Sequence, residues 1–337
     1  MAENTLLKLL SQQFPDTPRT RLKKWIEQGR VRLGGEIVRQ ASRGVADSSA
    51  PIELLGRDEL AQWFRPKWVI HPRLAILYMD TAVTAVAKGP GLLAVPAPGD
   101  SLSAMYVLGS FLASGKGDKR LPASFRKLRP QPVHRLDQYT SGVLCFAMNP
   151  QARAHLIEQF SKHTAKRTYI AYVDGKPRTA RGTWRHLLRF DEDKLRQRVV
   201  GTGTDKARRE GTVMAVTHYE VIEEFPTPDG MISKIQLQLE TGRTHQIRVQ
   251  AAQERLPLIG DRMYHPLYKI ASREKKIHVP VLFDRQALHA ASLEVIHPDH
   301  GGRKITWNAP LPEDLRALED QLNRIRRTHY SPARDRK

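Results

Sequence analysis

The chain has 337 residues, 40% hydrophobic and 27% charged, the balance of a folded globular protein of about two domains rather than a disordered one. No apolar run reaches the ~18 residues that cross a bilayer, and a single cysteine, Cys145, excludes an internal disulfide or a cysteine-built zinc site and fits a reducing, cytoplasmic setting. Fifty-five Lys and Arg against 35 Asp and Glu give a formal charge of +20, which favours a polyanionic partner because each neutralised phosphate releases counterions.

Residues 1–56 read as a small α/β unit. MAENTLLKLLSQQ lacks the basic start and long apolar stretch of a signal peptide and is expected to belong to the fold. Leu6, Leu7, Leu9 and Leu10 can share one helical face. In DTPRTRLKKWIEQG, Thr17 is a candidate N-cap, Pro18 a first helical residue and Gly29 a C-cap. Leu22, Trp25 and Ile26 then face inward, leaving Arg19, Arg21, Lys23 and Lys24 on an outer face that suits phosphate and plain solvent equally. RVRLGGEIV alternates around Gly34-Gly35 as a hairpin does.

Residues 57–72, with Pro66 and Pro72, are expected to be a linker. From 73 to 315 short strands and helices alternate, 316–337 is expected to be a basic C-terminal tail, and the stretch after 323 is expected to fray. AILYMD and TAVTAVAKGPGLLAVPAPG read as strands broken at Gly-Pro-Gly, and SAMYVLGSFLAS as a helix stopped by Gly115. NPQARAHLIEQFSKH has Asn149 as cap, Pro150 as first residue, and Leu156, Ile157 and Phe160 on one face. ISKIQLQLE alternates as a half-buried strand. The loop 115–133 carries six basic residues to one acidic and delivers the chain to His134.

Three stretches carry chemistry together: HRLDQYTSG (134–142), KRTYIAYVDG (166–175) and TGRTHQIRVQ (241–250). Read together they offer chemistry at one carboxylate, Asp137, one phenol, Tyr169, and one or two arginines. Thr244 is placed to cap a helix with Arg248 one turn inside. Asp137 has no second acid beside it, against the paired carboxylates of most glycosidases. Ser141 lacks a nucleophile-elbow setting, and GTGTD (201–205) lacks the Lys of a phosphate loop. Two histidines in HPDH (297–300) are too few for a metal, so none is expected.

These stretches, in order, with LPLIGDRMY (256–264) and RQALHAASLEVIHP (285–298), resemble the RluA family of RNA pseudouridine synthases. PRTRLKKWIEQGRVRLGGEIV resembles an S4-type RNA-binding domain. The resemblance implies an α+β fold with a mixed, largely antiparallel central sheet and flanking helices, behind the S4-like unit. It implies conversion of uridine to pseudouridine in ribosomal or transfer RNA, without metal, membrane or small-molecule cofactor, by a chain expected to act as a monomer. Asp137 matches the catalytic aspartate, acting by covalent attack or proton abstraction, and Tyr169 the tyrosine that stacks on the everted base and is a candidate to take its C5 proton. Ile247 matches the aliphatic residue on the base's other side. A reacting carboxylate is kept charged by a guanidinium within reach; position assigns that pair to Arg248, with Arg243 less favoured. Arg135 is placed to fill the space an everted base leaves. His134 and Lys166 are weaker RNA-contact candidates, for which packing and solvent suffice. Gln250 and Leu256 depart from the family's usual histidine and glycine, away from the proposed reacting groups. A non-catalytic RNA-binding factor on the same fold is the alternative, and an N-glycosidic hydrolase a third reading.

Overall fold

Residues 5–15, 17–27, 31–33, 36–38, 41–42, 44–45, 51–54, 69–99, 102–114, 123–193, 196–202, 211–271, 278, 280–299 and 301–330 are described by a computed structural model. The chain divides into two units, Met1–Arg65 and Pro66–Lys337.

In the first unit, helices α1 (Leu6–Gln13) and α2 (Arg19–Glu27) accompany strands β1 (Val31–Leu33), β2 (Glu36–Val38) and β3 (Ile52–Leu54), paired antiparallel in the order β2-β1-β3. Leu33 pairs with Glu36 as the expected hairpin requires, while Gly34-Gly35 and Gly29 lie outside the described residues. Leu6, Leu10, Leu22, Ile26 and Val31 are fully buried, each contributing about 1.5–3 kcal/mol. Arg19, Lys23 and Lys24 line the exposed side of α2.

The second unit contains β4 (Val69–His71), β5 (Leu74–Met79), β6 (Val83–Lys88), α3 (Ala104–Ser114), β7 (Gln131–Pro132), β8 (Ser141–Ala147), α4 (Pro150–Ser161), β9 (Lys166–Asp174), β10 (Arg181–Asp191), β11 (Arg196–Thr202), β12 (Thr212–Thr227), β13 (Gly230–Leu239), α5 (Gln246–Gln253), α6 (Pro266–Ala271), β14 (Leu288–Ile296), β15 (Lys304–Asn308) and α7 (Glu313–Tyr330). Among the described residues, twelve of these strands form one sheet, ordered β11-β10-β12-β13-β9-β14-β8-β6-β5-β4, with β15 on β14 and β7 on β8. Its pairings are antiparallel except β14 with β8. A mixed, largely antiparallel sheet with flanking helices is therefore what the chain builds.

Three local expectations are corrected. Val69 pairs with Ala75 and His71 with Leu74, so strand β4 occupies part of the expected linker. On α4, Asn149 caps as expected, accepting from the Ala152 amide at 2.8 Å. Ile157, however, is exposed, and Gln159 is buried instead, exchanging bonds with Ile296 O at 2.8 Å and Ile296 N at 2.7 Å. A polar side chain that finds both partners outcompetes an apolar one whose position on the helix faces water. Residues 316–330 are not a separate tail: they continue helix α7, which runs on to Tyr330 through the stretch after 323 where fraying is expected, and whose Leu315, Leu318 and Leu322 pack with Tyr172, Phe225 and Ile232. The apolar spacing of three and four among charged residues is the stripe that seats it.

The parallel junction sets the centre of the sheet. Ala290 of β14 is paired with Gly142 of β8 on one side and Tyr169 of β9 on the other. Gly142 has φ +122°, and a Cβ there would run into the Ala290 carbonyl. Glycine is what allows β8 to approach β14 this closely.

Candidate active site

Asp137 lies in the tight turn that feeds β8, closed by Thr140 N donating to Asp137 O at 3.0 Å. Its carboxylate is partly exposed, at 19%, on the wall of a cleft of about 890 Å³. Arg248 Nη1 donates to its Oδ2 at 3.1 Å. Among the described residues Oδ1 accepts no hydrogen bond.

Arg248 sits in the first turn of α5, a helix whose residues 246–251 are all buried. The expected Thr244 cap is not used. His245 occupies the cap position in left-handed conformation, φ 53°, without a side-chain cap bond. The Gln246 side chain does the work instead: its Oε1 accepts from Arg243 N at 3.0 Å and Thr241 Oγ1 at 2.9 Å, and its Nε2 donates to Val216 O at 3.0 Å. Thr217 Oγ1 in turn donates to Gln250 Oε1 at 2.6 Å. This buried ladder stitches α5 to β12 and fixes where Arg248 points. Gln250, a departure from the family pattern, is thus an internal strut.

Behind Arg248 lies Asp261, fully buried. It accepts from Arg248 Nε at 2.7 Å and Nη2 at 2.9 Å, and from Met263 N and Tyr264 N at 2.9 and 3.1 Å. Burial alone would weaken the guanidinium's charge, but the hydrogen bonds and charge of Asp261, and then of Asp137, hold its pKa above the usual arginine range. The Tyr264 ring lies 5.2 Å beneath the guanidinium. Tyr264 OH also contacts His245 Nδ1 at 3.1 Å, and His245 Nε2 lies 3.9 Å from Asp137 Oδ2. Burial holds the pKa of His245 below the usual histidine value, against the pull of Asp137 and with Arg248 adding to the fall.

Tyr169, on β9, is 7% exposed and belongs to the central core with Ile247, which is 4% exposed. Burial first and Asp137 also raise its phenol above the ordinary value, so it keeps its proton.

The remaining candidates separate. Arg135 is exposed and lines the cleft. Arg243 is exposed, donating from Nε to Met214 O at 3.4 Å, and the ion pair with Asp137 belongs to Arg248. His134 is spent on packing: its Nε2 accepts from Cys145 N at 3.0 Å, its ring stacks on Phe160, and burial pushes its pKa down to about 3. Lys166 is exposed and paired with Glu294 at 3.6 Å. His297 pairs with Asp80 at 2.8 Å.

Lys88 was invisible to the sequence reading. At 1% exposure it donates to Gly89 O, Leu92 O and Gln138 O at 3.0, 2.9 and 2.9 Å. Burial, then the Arg285 guanidinium, push its pKa down to about 7. A charged residue interrupting the apolar run AVTAVAK was the available signal. Asp261, His245 and Tyr264 were also missed, although the first and last lie within LPLIGDRMY.

The arrangement presents the Asp137 carboxylate, backed by a guanidinium that is itself neutralised, at the wall of a cleft also lined by Arg135, Arg196 and Arg262, with the exposed Asp284 paired to Arg262 at 3.6 Å. It suits an anionic substrate and chemistry at one carboxylate.

Residues 84–253 match the family model for RNA pseudouridylate synthase, and residues 5–48 match the S4 domain. A protein of Xanthomonas campestris named ribosomal large subunit pseudouridine synthase D is 33% identical over 318 residues, 93% of this chain and 87% of the relative. The namesake of Pseudomonas aeruginosa is 32% identical over 94% of this chain and 92% of its own. An uncharacterized RNA pseudouridine synthase of Bacillus subtilis, YlyB, is 31% identical over 94% and 93%. The solved structure of human RNA pseudouridylate synthase domain containing 4 shares the fold at a TM-score of 0.54, with 19% identity over 79% of this chain and 96% of that one.

Proposed function

The chain belongs to the RNA pseudouridylate synthase family, and from that premise we propose that it modifies selected uridines of structured RNA, ribosomal RNA before transfer RNA, in the cytoplasm. The printed names of its relatives and the S4 domain support the ribosomal choice. All reacting groups of the site come from the Pro66–Lys337 unit, and action as a monomer is part of the proposal.

The conversion breaks the bond between C1′ and N1 of uridine and joins C1′ to C5 of the same ring. C5 loses a proton and N1 gains one, so no atom is added overall. In this reading the uridine leaves its helix to reach the cleft, and Arg135 takes the vacated stack. Asp137 acts at the sugar, by attack at C1′ or by proton abstraction. Arg248 keeps it ionised and aimed. Tyr169 stacks on the detached base, a role that fits a phenol holding its proton, with Ile247 supporting the other side.

The observation that carries this is the 3.1 Å bond from Arg248 Nη1 to the partly exposed Asp137 carboxylate. Mapping pseudouridines in total RNA with the gene deleted, then restored as wild type or as Asp137→Asn, is the test. Specific sites should vanish on deletion and return only with wild type. Full restoration by Asp137→Asn would overturn the reading, and sites confined to transfer RNA would overturn the ribosomal choice.

A further inference from the structure

The turn bearing Asp137 is held by a second arginine that the mechanism does not use. Arg285 is 6% exposed. Its Nε and Nη2 donate to Asp314 Oδ2 and Oδ1 at 2.6 and 2.9 Å. Its Nη1 donates to Tyr139 O at 3.1 Å, and also meets Gln286 O at 3.1 Å and Leu288 O at 3.2 Å. The remaining Nη2 hydrogen points to Ser141 Oγ at 3.4 Å.

A guanidinium has five N–H donors, and here every one has an acceptor inside the protein. Arg285 lines the cleft, yet it has no donor left for an RNA phosphate. The construction repeats that of Arg248: one edge is closed bidentately by an aspartate, and Nη1 alone reaches forward to the same turn. Between the two contacts, Lys88 and the Gly91 amide hold Gln138 O, each at 2.9 Å. Three consecutive residues, Asp137, Gln138 and Tyr139, are therefore each gripped by a different buried basic side chain.

Asp314 lies in the first turn of α7, whose buried leucines and whose Glu319, bonded to Tyr172 OH at 2.9 Å and Lys234 Nζ at 2.8 Å, seat the helix on the sheet. The chain of contacts runs from a core-packed helix, through Asp314 and Arg285, to the backbone one bond short of Thr140.

We propose that Arg285 is a positioning residue for Asp137, and that Asp314 makes the C-terminal helix part of the active-site support. This rests on Asp137 being the reacting carboxylate. A small displacement of a reacting group costs about a hundredfold in rate, so loosening the Tyr139 corner acts on turnover rather than on RNA affinity.

The test uses the full chain carrying Arg285→Lys, Asp314→Asn or Asp137→Asn, with thermal melts, RNA affinity and single-turnover pseudouridine formation measured on each. A lysine cannot span Asp314 and Tyr139 O together. Folded Arg285→Lys should bind RNA as wild type does and react about a hundredfold more slowly, with Asp314→Asn impaired in the same sense and to a smaller degree. Wild-type turnover in a folded Arg285→Lys would overturn the inference, and a parallel loss of RNA affinity would assign Arg285 to phosphate binding instead. Should Arg285→Lys fail to fold, Asp314→Asn decides by the same measurements. Asp137→Asn separates the two failures: if it reacts normally, the reading of Asp137 falls, whereas a dead Asp137→Asn beside a normal Arg285→Lys sinks only this proposal.

Discussion

Arg248 and Asp137, 111 residues apart in sequence, meet at 3.1 Å because the guanidinium's other edge is already taken by Asp261. The arginine reaches the turn with one nitrogen and is anchored by two. Replacing Arg248 by lysine supplies a point charge that serves one carboxylate at a time. Single-turnover pseudouridine formation by Arg248→Lys should fall about a hundredfold or more, with RNA affinity near wild type by filter binding.

Asp261 is the neutralising partner of a buried cation, so its loss is a matter of stability as well as activity. Asp261→Asn keeps the shape and removes the charge, and presents an amide N–H₂ to guanidinium donors. Breaking one side of a buried ion pair costs about 3–5 kcal/mol. Urea denaturation should show a loss of that size, well beyond what the exposed Lys166→Ala produces.

Lys88 makes stability depend on pH in a defined direction. Its pKa is about 7 in the folded protein against an ordinary value of 10.5. Between those values the unfolded chain binds the proton and the folded one does not, so stability rises with pH. The penalty of burying the charge is complete below about 7 and is lifted by 10.5. Lys88→Met has no such penalty. The difference in unfolding free energy, wild type minus Lys88→Met, should therefore grow between these limits by up to about 1.4 kcal/mol per pH unit. Urea melts of both proteins at several pH values measure it, and a flat difference would show that Lys88 stays charged throughout.

Gly142→Ala places a methyl group against the Ala290 carbonyl at a φ of +122°. The junction of β8 with β14 must open, and Tyr169, paired with Ala290 on its far side, moves with it. Expected is a loss of about 2–4 kcal/mol in a thermal or urea melt, together with reduced turnover. Gly99→Ala, also at positive φ but in open space, should cost less.

Much of this was legible along the chain. Period-two runs such as IQLQL marked strands, the Asn149-Pro150 start marked α4, and the order of the HRLD, KRTY and GRTHQIR stretches pointed to Asp137, Tyr169 and Arg248. What escaped were residues whose meaning is a partner far away in sequence. Gln159 on α4 and Gln246 on α5 look like surface amides until their acceptors on β14 and β12 are known. The apolar stripe of Leu315, Leu318 and Leu322 was masked by the charged residues interleaved with it, Arg316, Glu319 and Asp320, and by the arginines that follow.

Composition, periodicity and short-range motif spacing are properties of neighbours in the chain; they determined the element types and the cationic character, and the ordered motifs, through their family resemblance, pointed to the S4-like beginning and to Asp137 as the candidate carboxylate. Which cation meets which acceptor is a property of neighbours in space. Only the folded sheet could place Arg248 on Asp137 and Arg285 on Tyr139 O, with Lys88 on the carbonyl between them. A buried charge is tolerated only where its donors find acceptors, and that match depends on strand register and helix packing rather than on local sequence.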